Sequence, residues 1–200
     1  LQVFIRLLYY KSFYKFLRKC NLEPLLLTLN SSDHTLLNHT LDVIIGMIQC
    51  GIESVGAECC APVAEFVEEN PIRSKMEARL KETFLMSKGF EKLVETLAKY
   101  GPMFAKRADL SEQEQSIMWK TLQCLHLSLV DRSYTSSYKL VDTVTKLIMP
   151  KLKILLDLTI SPHASIRKHA ALLLQGMLLH SKGEMTQKIQ SLVLGSGKLL

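Results

Sequence analysis

The sequence predicts an all-α fold in which antiparallel helix pairs pack side by side, and three observations support this prediction. Glycine and proline are scarce, with nine and six residues among 200, so few residues interrupt regular helices. Apolar residues make up 48% of the chain and recur at the i, i+3 and i+4 spacing of an amphipathic helix. Long strict alternation is rare and no Asn-Gly or Asp-Gly turn occurs, so hairpins are not predicted.

Local signals define the first predicted helices. An apolar stripe over residues 3–17 predicts a helix that Asn21 ends, and Pro24 favours the start of the next one. Residues 31–33, Ser-Ser-Asp, offer three N-cap side chains ahead of a second stripe over residues 36–48. These signals predict that the chain begins with helices joined by short polar turns.

Proline and glycine mark the predicted boundaries in the middle of the chain. Pro62 favours a helix start, and Pro71 opens another helix because the residue before a proline disfavours the α region. Gly89 and the Gly101-Pro102 pair are predicted to interrupt the helical pattern. Each interruption predicts a turn between two neighbouring helices.

Two further signals precede the C-terminal helices. Ser111, with Glu114 three residues later, forms the pattern of a capping box ahead of an apolar run. The Ser-Pro dipeptide at 161–162 predicts a turn before a helix over residues 163–180. One more amphipathic segment, over 184–194, completes the predicted helices.

A segment near the start of the chain is repeated near its end at an offset of 130 residues. Residues 36–48 and 166–178 share conservative apolar positions and three identities, which are His39/His169, Gly46/Gly176 and Met47/Met177. One third of this offset is about 43 residues, which lies within the period of two-helix repeat units. A further unit is therefore predicted near Leu122, where another apolar helical run is present.

Residues 161–174 resemble the second helix of a HEAT or armadillo repeat. They contain a polar turn with proline, the basic dipeptide Arg167-Lys168, and Ala170-Ala171 followed by leucines. Small residues allow neighbouring helices to approach closely, and leucines fill the space between them. The match is good over 146–180, fair over 21–50 and weak over 71–110.

The resemblance implies a right-handed superhelical stack of antiparallel helix pairs, an α-solenoid in which each repeat contacts its neighbours. On this basis residues 1–200 form a single solenoid segment of about four to five helical repeats. We also expect the segment to be a fragment of a larger protein, because the chain begins inside an apolar pattern.

Acidic and basic residues occur in separate segments of the chain, although the net charge is only +6. Residues 21–70 contain eight acidic residues and no lysine or arginine, whereas residues 146–200 contain eight basic and two acidic residues. Residues 1–20 carry five cations and no anion. Because each repeat of a stacked array contacts only its neighbours, these blocks predict separate acidic and basic regions on the surface.

The predicted function is a non-enzymatic scaffold or adaptor that presents a charged concave surface to a peptide or protein partner. The predicted contacts are Lys151, Lys153, Arg167 and Lys168 for an acidic partner, and Glu65, Glu68 and Glu69 for a basic one. One alternative is a nuclear transport carrier, a class also built of HEAT units. Another is a basic module that binds nucleic acid or a membrane surface through the aromatic and cationic residues of 1–20.

Catalytic and cofactor chemistry are not predicted. The chain lacks the GxSxG, HExxH and GxGxxG motifs, and residues 195–199 lack the spacing and hydroxyl residue of a phosphate loop. Five cysteines without a CxxC pair predict neither a disulfide framework nor a zinc site, and favour an intracellular location, cytoplasmic or nuclear. No transmembrane segment, cofactor, metal or small-molecule substrate is therefore predicted, and nucleic acid is the less favoured partner.

Overall fold

The computed structural model describes residues 21–49, 71–129, 138–180 and 183–196, and these residues form an all-α structure without strands. The all-α prediction is confirmed for this part of the chain. Two 3-10 turns, Thr28–Asn30 and Met149–Lys151, follow α1 and precede α7. The helices are α1 (Glu23–Leu27), α2 (His34–Gln49), α3 (Pro71–Met86), α4 (Gly89–Phe104), α5 (Glu112–Leu129), α6 (Tyr138–Ile148), α7 (Leu152–Thr159), α8 (Ala164–His180) and α9 (Glu184–Ser196).

Side-chain caps begin two of the long helices as predicted. At α2, Asp33 Oδ1 accepts hydrogen bonds from the N–H groups of Thr35 at 2.8 Å and Leu36 at 3.2 Å. At α5, the Glu114 N–H donates to Ser111 Oγ at 3.2 Å, and the Ser111 N–H donates to Glu114 Oε2 at 2.9 Å. A cap of this kind stabilises a helix by about 1 kcal/mol, since it satisfies N–H groups that lack intrahelical partners.

Proline acts at the helix starts that the sequence indicates. Pro24 lies in the first turn of α1, and Pro71 is the first residue of α3. The Ser-Pro turn at 161–162 directly precedes α8. The predicted helix over residues 3–17 and the predicted helix start at Pro62 lie outside the described residues.

The interruption predicted at Gly101-Pro102 is wrong, because α4 continues through both residues to Phe104. Gly101 is buried, and a Cβ atom there would lie 2.4 Å from Cγ2 of Ile154 in α7. The glycine therefore allows the backbone of α4 to approach α7 closely. Pro102 lies in the last turn of α4, so the hydrogen bond that it removes and the kink that it favours come where only two helical residues remain.

The interruption predicted at Gly89 is confirmed, because residues 87–88 separate α3 from α4 and Gly89 begins α4. The chain turns at Lys88, which has a left-handed backbone with φ of 58°. Phe84 and Phe90 meet edge to face across the turn, with ring centroids 4.9 Å apart. A Cβ atom at Gly89 would lie 2.4 Å from the Phe84 ring, so only glycine leaves room for this aromatic pair.

The helices with the repeated sequence pattern lie on either side of a third helix. Helix α5 contacts α2 on one side and α8 on the other, and it contains the predicted central residue Leu122. Helix α4 contacts α5, α7 and the 3-10 turn Thr28–Asn30. Helix α7 contacts α4 and α8. The consecutive helices α4 and α5, like α7 and α8, are thus in direct contact with each other.

Buried apolar side chains form one continuous cluster across these helices. Five leucines, one from each of α2, α4, α5, α7 and α8, have no exposed surface, and they are Leu41, Leu93, Leu122, Leu155 and Leu173. Burial of a leucine side chain stabilises a fold by about 1.5–3 kcal/mol. The cluster therefore joins these five helices through one core.

Candidate functional site

The four basic residues predicted to contact an acidic partner all lie within the described part of the chain. Lys151 ends a 3-10 turn and Lys153 lies in the first turn of α7, whereas Arg167 and Lys168 lie near the start of α8. Lys151 is half-buried and the other three are exposed. The lysine pair and the Arg167-Lys168 pair are thus on the two arms of one helical hairpin. The predicted acidic contacts Glu65, Glu68 and Glu69 lie outside the described residues.

Arg167 is held in place by the turn that precedes its helix. Its Nη1 donates hydrogen bonds to the carbonyl oxygens of Ser161 and Pro162, both at 2.8 Å. A guanidinium group has five N–H donors in a rigid planar arrangement. Among the described residues, the Nε and Nη2 groups of Arg167 have no acceptor, so this edge of the exposed side chain faces no protein partner.

The same turn is tied to the segment between α4 and α5. His163 Nε2 lies 2.9 Å from the carbonyl oxygen of Arg107, and because a carbonyl only accepts, the ring nitrogen is the donor. Arg107 also pairs with Asp109 and Glu114, each at 3.2 Å. The hydrogen bond from Arg107 lowers the pKa of the Asp109 carboxyl group. Backbone and side-chain contacts therefore fix these two turns beside each other.

An open cleft of about 400 Å³ lies between these two turns. Ile160 lines this cleft and has 79% of its surface exposed. Lys106 and Asp157, of opposite charge, are the charged members of the lining. The lining consists of Ala105, Lys106, Ala108, Asp157, Ile160 and Pro162.

A second group of polar side chains crosses from α2 to α5. Lys120 Nζ lies 2.7 Å from Asp42 Oδ1, with the two side chains 12% and 26% exposed. The amide of Asn38 donates to the carbonyl oxygen of Gln113 at 3.0 Å. Because Asp42 neutralises Lys120 at close range, neither charge of this pair is free to attract a partner.

An aromatic pair continues this group from α5 to α8. The rings of Trp119 and His169 have centroids 5.2 Å apart at an interplanar angle of 32°, and both side chains are partly exposed. Lys120 Nζ lies 5.7 Å from the Trp119 ring centroid. The Nδ1 of His169 donates to the carbonyl oxygen of Ser165 at 2.8 Å, which sets the orientation of the ring. We call Asp42, Lys120, Trp119 and His169 the interhelical ladder.

His126 lies on α5 where that helix meets α8. Its Nδ1 is buried and has no hydrogen-bond partner among the described residues. Burial lowers the pKa of His126, and the nearby His169 lowers it further. Gly176 faces it, since a Cβ atom there would lie 3.5 Å from His126 Nδ1. The neutral imidazole is therefore the favoured form at this contact.

The described residues offer little for covalent or metal chemistry. Cys124 is fully buried, and burial raises the pKa of its thiol, which disfavours the reactive thiolate. No group of three or more His, Cys, Asp or Glu side chains in the described ranges is placed to hold a metal ion. None of the helices in this part of the chain combines the length and hydropathy needed to cross a membrane.

The interhelical ladder was not predicted as a site from the sequence. Trp119 is the only tryptophan of the chain, and His169 occupies a repeated position, so both carried a signal. The pairing of Lys120 with Asp42 had none, because it depends on the contact between α2 and α5.

Comparison of the chain with protein-family models, with curated proteins and with solved structures gives no match.

Proposed function

We propose that this chain is a non-enzymatic protein-interaction scaffold, built as a right-handed α-solenoid of HEAT or armadillo type. The order of helix contacts supports the proposal. Helices α2, α5 and α8 form one row, while the 3-10 turn Thr28–Asn30, α4 and α7 form a second row against it. A stack of helix pairs gives this arrangement, because each pair contributes one helix to each row.

The observation that carries the proposal is the interhelical ladder on the α2–α5–α8 row. Tryptophan is enriched among residues that dominate protein–protein binding energies. Trp119 is partly exposed, and His169 and Lys120 restrain it from two sides. A restrained side chain loses less conformational entropy when a partner binds, so the ladder is suited to contact another protein.

Charge supports an acidic partner at the α8 end of this row. Arg167 and Lys168 are exposed there, and no aspartate or glutamate occurs between residues 158 and 183. Lys151 and Lys153 extend the basic surface along the other arm of the hairpin. Complementary charge increases the rate of association and selects among partners.

Site-specific photo-crosslinking in cells tests this function. A photoreactive amino acid replaces Gln123, which lies one helical turn after Trp119, or Lys168 at the start of α8. The matched control replaces Glu95, an exposed residue of α4 in the other row. We expect one protein partner to be recovered from Gln123 and Lys168 and to be absent or much reduced from Glu95.

Two results would contradict the proposal. One is the absence of any crosslinked protein at Gln123 and Lys168 while the variants remain folded. The other is recovery of the same proteins with equal yield from Glu95, since a common background would then explain the crosslinks.

A further inference from the structure

We propose that the free edge of Arg167 and the neighbouring cleft form one binding site for an acidic segment of a partner protein. A carboxylate of the partner binds the guanidinium, and an apolar side chain of the same segment enters the cleft. This inference rests on the proposed scaffold function and specifies which surface and which partner chemistry that function uses.

The orientation of Arg167 is the first argument. Both Nη1 contacts hold the guanidinium against the turn, through the carbonyl oxygens of Ser161 and Pro162. Nε–H and one Nη2–H point in the same direction on the remaining edge, which matches the two oxygens of a carboxylate. Since the turn already orders this side chain, a carboxylate binds it with a smaller loss of entropy.

The surrounding charge is the second argument. Lys168 is exposed next to Arg167, and the sequence from 158 to 183 has no carboxylate that could occupy the guanidinium from within α8. The carboxylates of Asp109 and Glu114 are held by Arg107 instead. The described residues of the site carry three cations, Arg167, Lys168 and Lys106, and one carboxylate, Asp157, and this excess of positive charge favours an acidic segment over a basic one.

The cleft is the third argument. Pro162 connects the two parts, because it lines the cleft while its carbonyl oxygen accepts the Arg167 hydrogen bond. Ile160 lines the cleft and is 79% exposed, and Ala105 and Ala108 contribute further apolar surface. Lys106 and Asp157 have opposite charges, so the cleft adds shape and apolar contact without a strong charge preference. A partner segment with an aliphatic side chain next to a carboxylate would therefore fit both the cleft and the guanidinium of Arg167.

Binding of model peptides to the whole protein tests this site. The probe is a fluorescent peptide of alternating glutamate and leucine, and its affinity is measured by fluorescence anisotropy. One comparison peptide has lysine in place of glutamate, and another has serine in place of leucine. We expect the glutamate–leucine peptide to bind tightest, the serine peptide to bind weakly, and the lysine peptide not to bind.

Variants of the protein assign the binding to the site. Arg167→Lys keeps the positive charge and removes the planar edge, so the Kd of the glutamate–leucine peptide should rise about tenfold. Ile160→Ser should raise it about threefold and leave folding unchanged, because Ile160 is exposed. Arg79→Lys makes the same exchange at an exposed arginine of α3 and serves as the matched control, with little expected effect.

Three outcomes overturn the inference. They are no binding of the glutamate–leucine peptide, equal binding by wild type and by both Arg167→Lys and Ile160→Ser, and displacement of the peptide by single-stranded DNA at lower concentration than by unlabelled peptide. Thermal unfolding of each variant excludes loss of structure as the cause. If crosslinking at Gln123 recovers a partner whose affinity neither variant changes, the scaffold function remains and only this site is wrong.

Discussion

Helices α2 and α8 contain the repeated sequence pattern, and their surroundings differ. Met47 and Met177, at matching positions, are 1% and 0% exposed, and the matching Gly46 and Gly176 are both buried. One position later the helices diverge, because Ile48 is 1% exposed whereas Leu178 is 43% exposed. The repeated pattern therefore specifies which side of each helix enters the core. The neighbouring helices determine how much of the remaining helix surface is also buried.

The contacts explain this difference. Helix α2 packs against α3, α5 and the 3-10 turn Thr28–Asn30, and all residues from 43 to 48 are buried. Helix α8 packs mainly against α5 and α7, and its buried residues are confined to one stripe. The residues Arg167, Lys168 and Leu179 lie outside that stripe, and the other described helices leave them exposed.

The largest predicted effect is a difference in the free energy of unfolding between alanine variants at Ile48 and at Leu178. Ile48→Ala should lower the free energy of unfolding by about 2–4 kcal/mol, because it leaves a cavity in a fully enclosed position. Leu178→Ala should lower it by about 1 kcal/mol or less, because much of that side chain is already in water. Urea unfolding followed by circular dichroism measures both. Equal losses for the two variants would show that α2 and α8 are enclosed to the same extent.

The contacts of α5 with α2 and with α8 can be compared by double-mutant cycles. Asp42→Asn combined with Lys120→Met should give a coupling energy of about 1 kcal/mol for the partly buried ion pair. Trp119→Leu combined with His169→Leu should give about 0.5–1 kcal/mol for the aromatic pair. A coupling energy near zero for either pair would mean that its members meet without stabilising the helix contact.

A third prediction concerns pH at the contact of α5 with α8. The pKa of His126 is lowered from 6.5 in the folded protein, so the unfolded chain binds more protons in mild acid. Stability should therefore decrease as the pH falls through about 6.5 and towards the lower folded value. His126→Leu should flatten this dependence measured by urea unfolding, whereas His180→Gln, at an exposed position, should preserve it.

The smallest predicted effect is at Leu179, which is 76% exposed on α8. Leu179→Gln should change the free energy of unfolding by less than about 0.5 kcal/mol, because surface substitutions away from caps and cores have small effects. Thermal unfolding by differential scanning calorimetry provides the measurement. A loss comparable to that of Ile48→Ala would show that Leu179 is covered in solution, for example by association of two chains.

Much of the secondary structure could be predicted because its causes are local. Asp33, the Ser111 and Glu114 pair, and Pro71 act within a few residues of the helix starts that they define. The prediction at Gly101-Pro102 was wrong for a nonlocal reason. Gly101 serves the close approach of α4 to Ile154 of α7, and no short sequence window contains that contact.

The candidate site likewise contains features that the local sequence indicates and features that depend on contacts between distant residues. Sequence selected Arg167 and Lys168 because adjacent cations on a helix are visible as a local pattern. It could not indicate that the guanidinium of Arg167 is already bound to the preceding turn, or that a cleft begins at Pro162. It also did not identify Trp119 and Lys120 as members of one group, since their partners His169 and Asp42 come from other helices.

Local sequence signals therefore predict the all-α class, most of the helix boundaries and the stripe of each repeated helix that enters the core. These properties follow from backbone preferences, caps and apolar periodicity, which act over a few residues. Only the tertiary structure shows that α5 contacts both α2 and α8, that Asp42 pairs with Lys120, and that Nε and Nη2 of Arg167 have no acceptor among the described residues. Each depends on groups brought together by packing, and packing is set by the whole core.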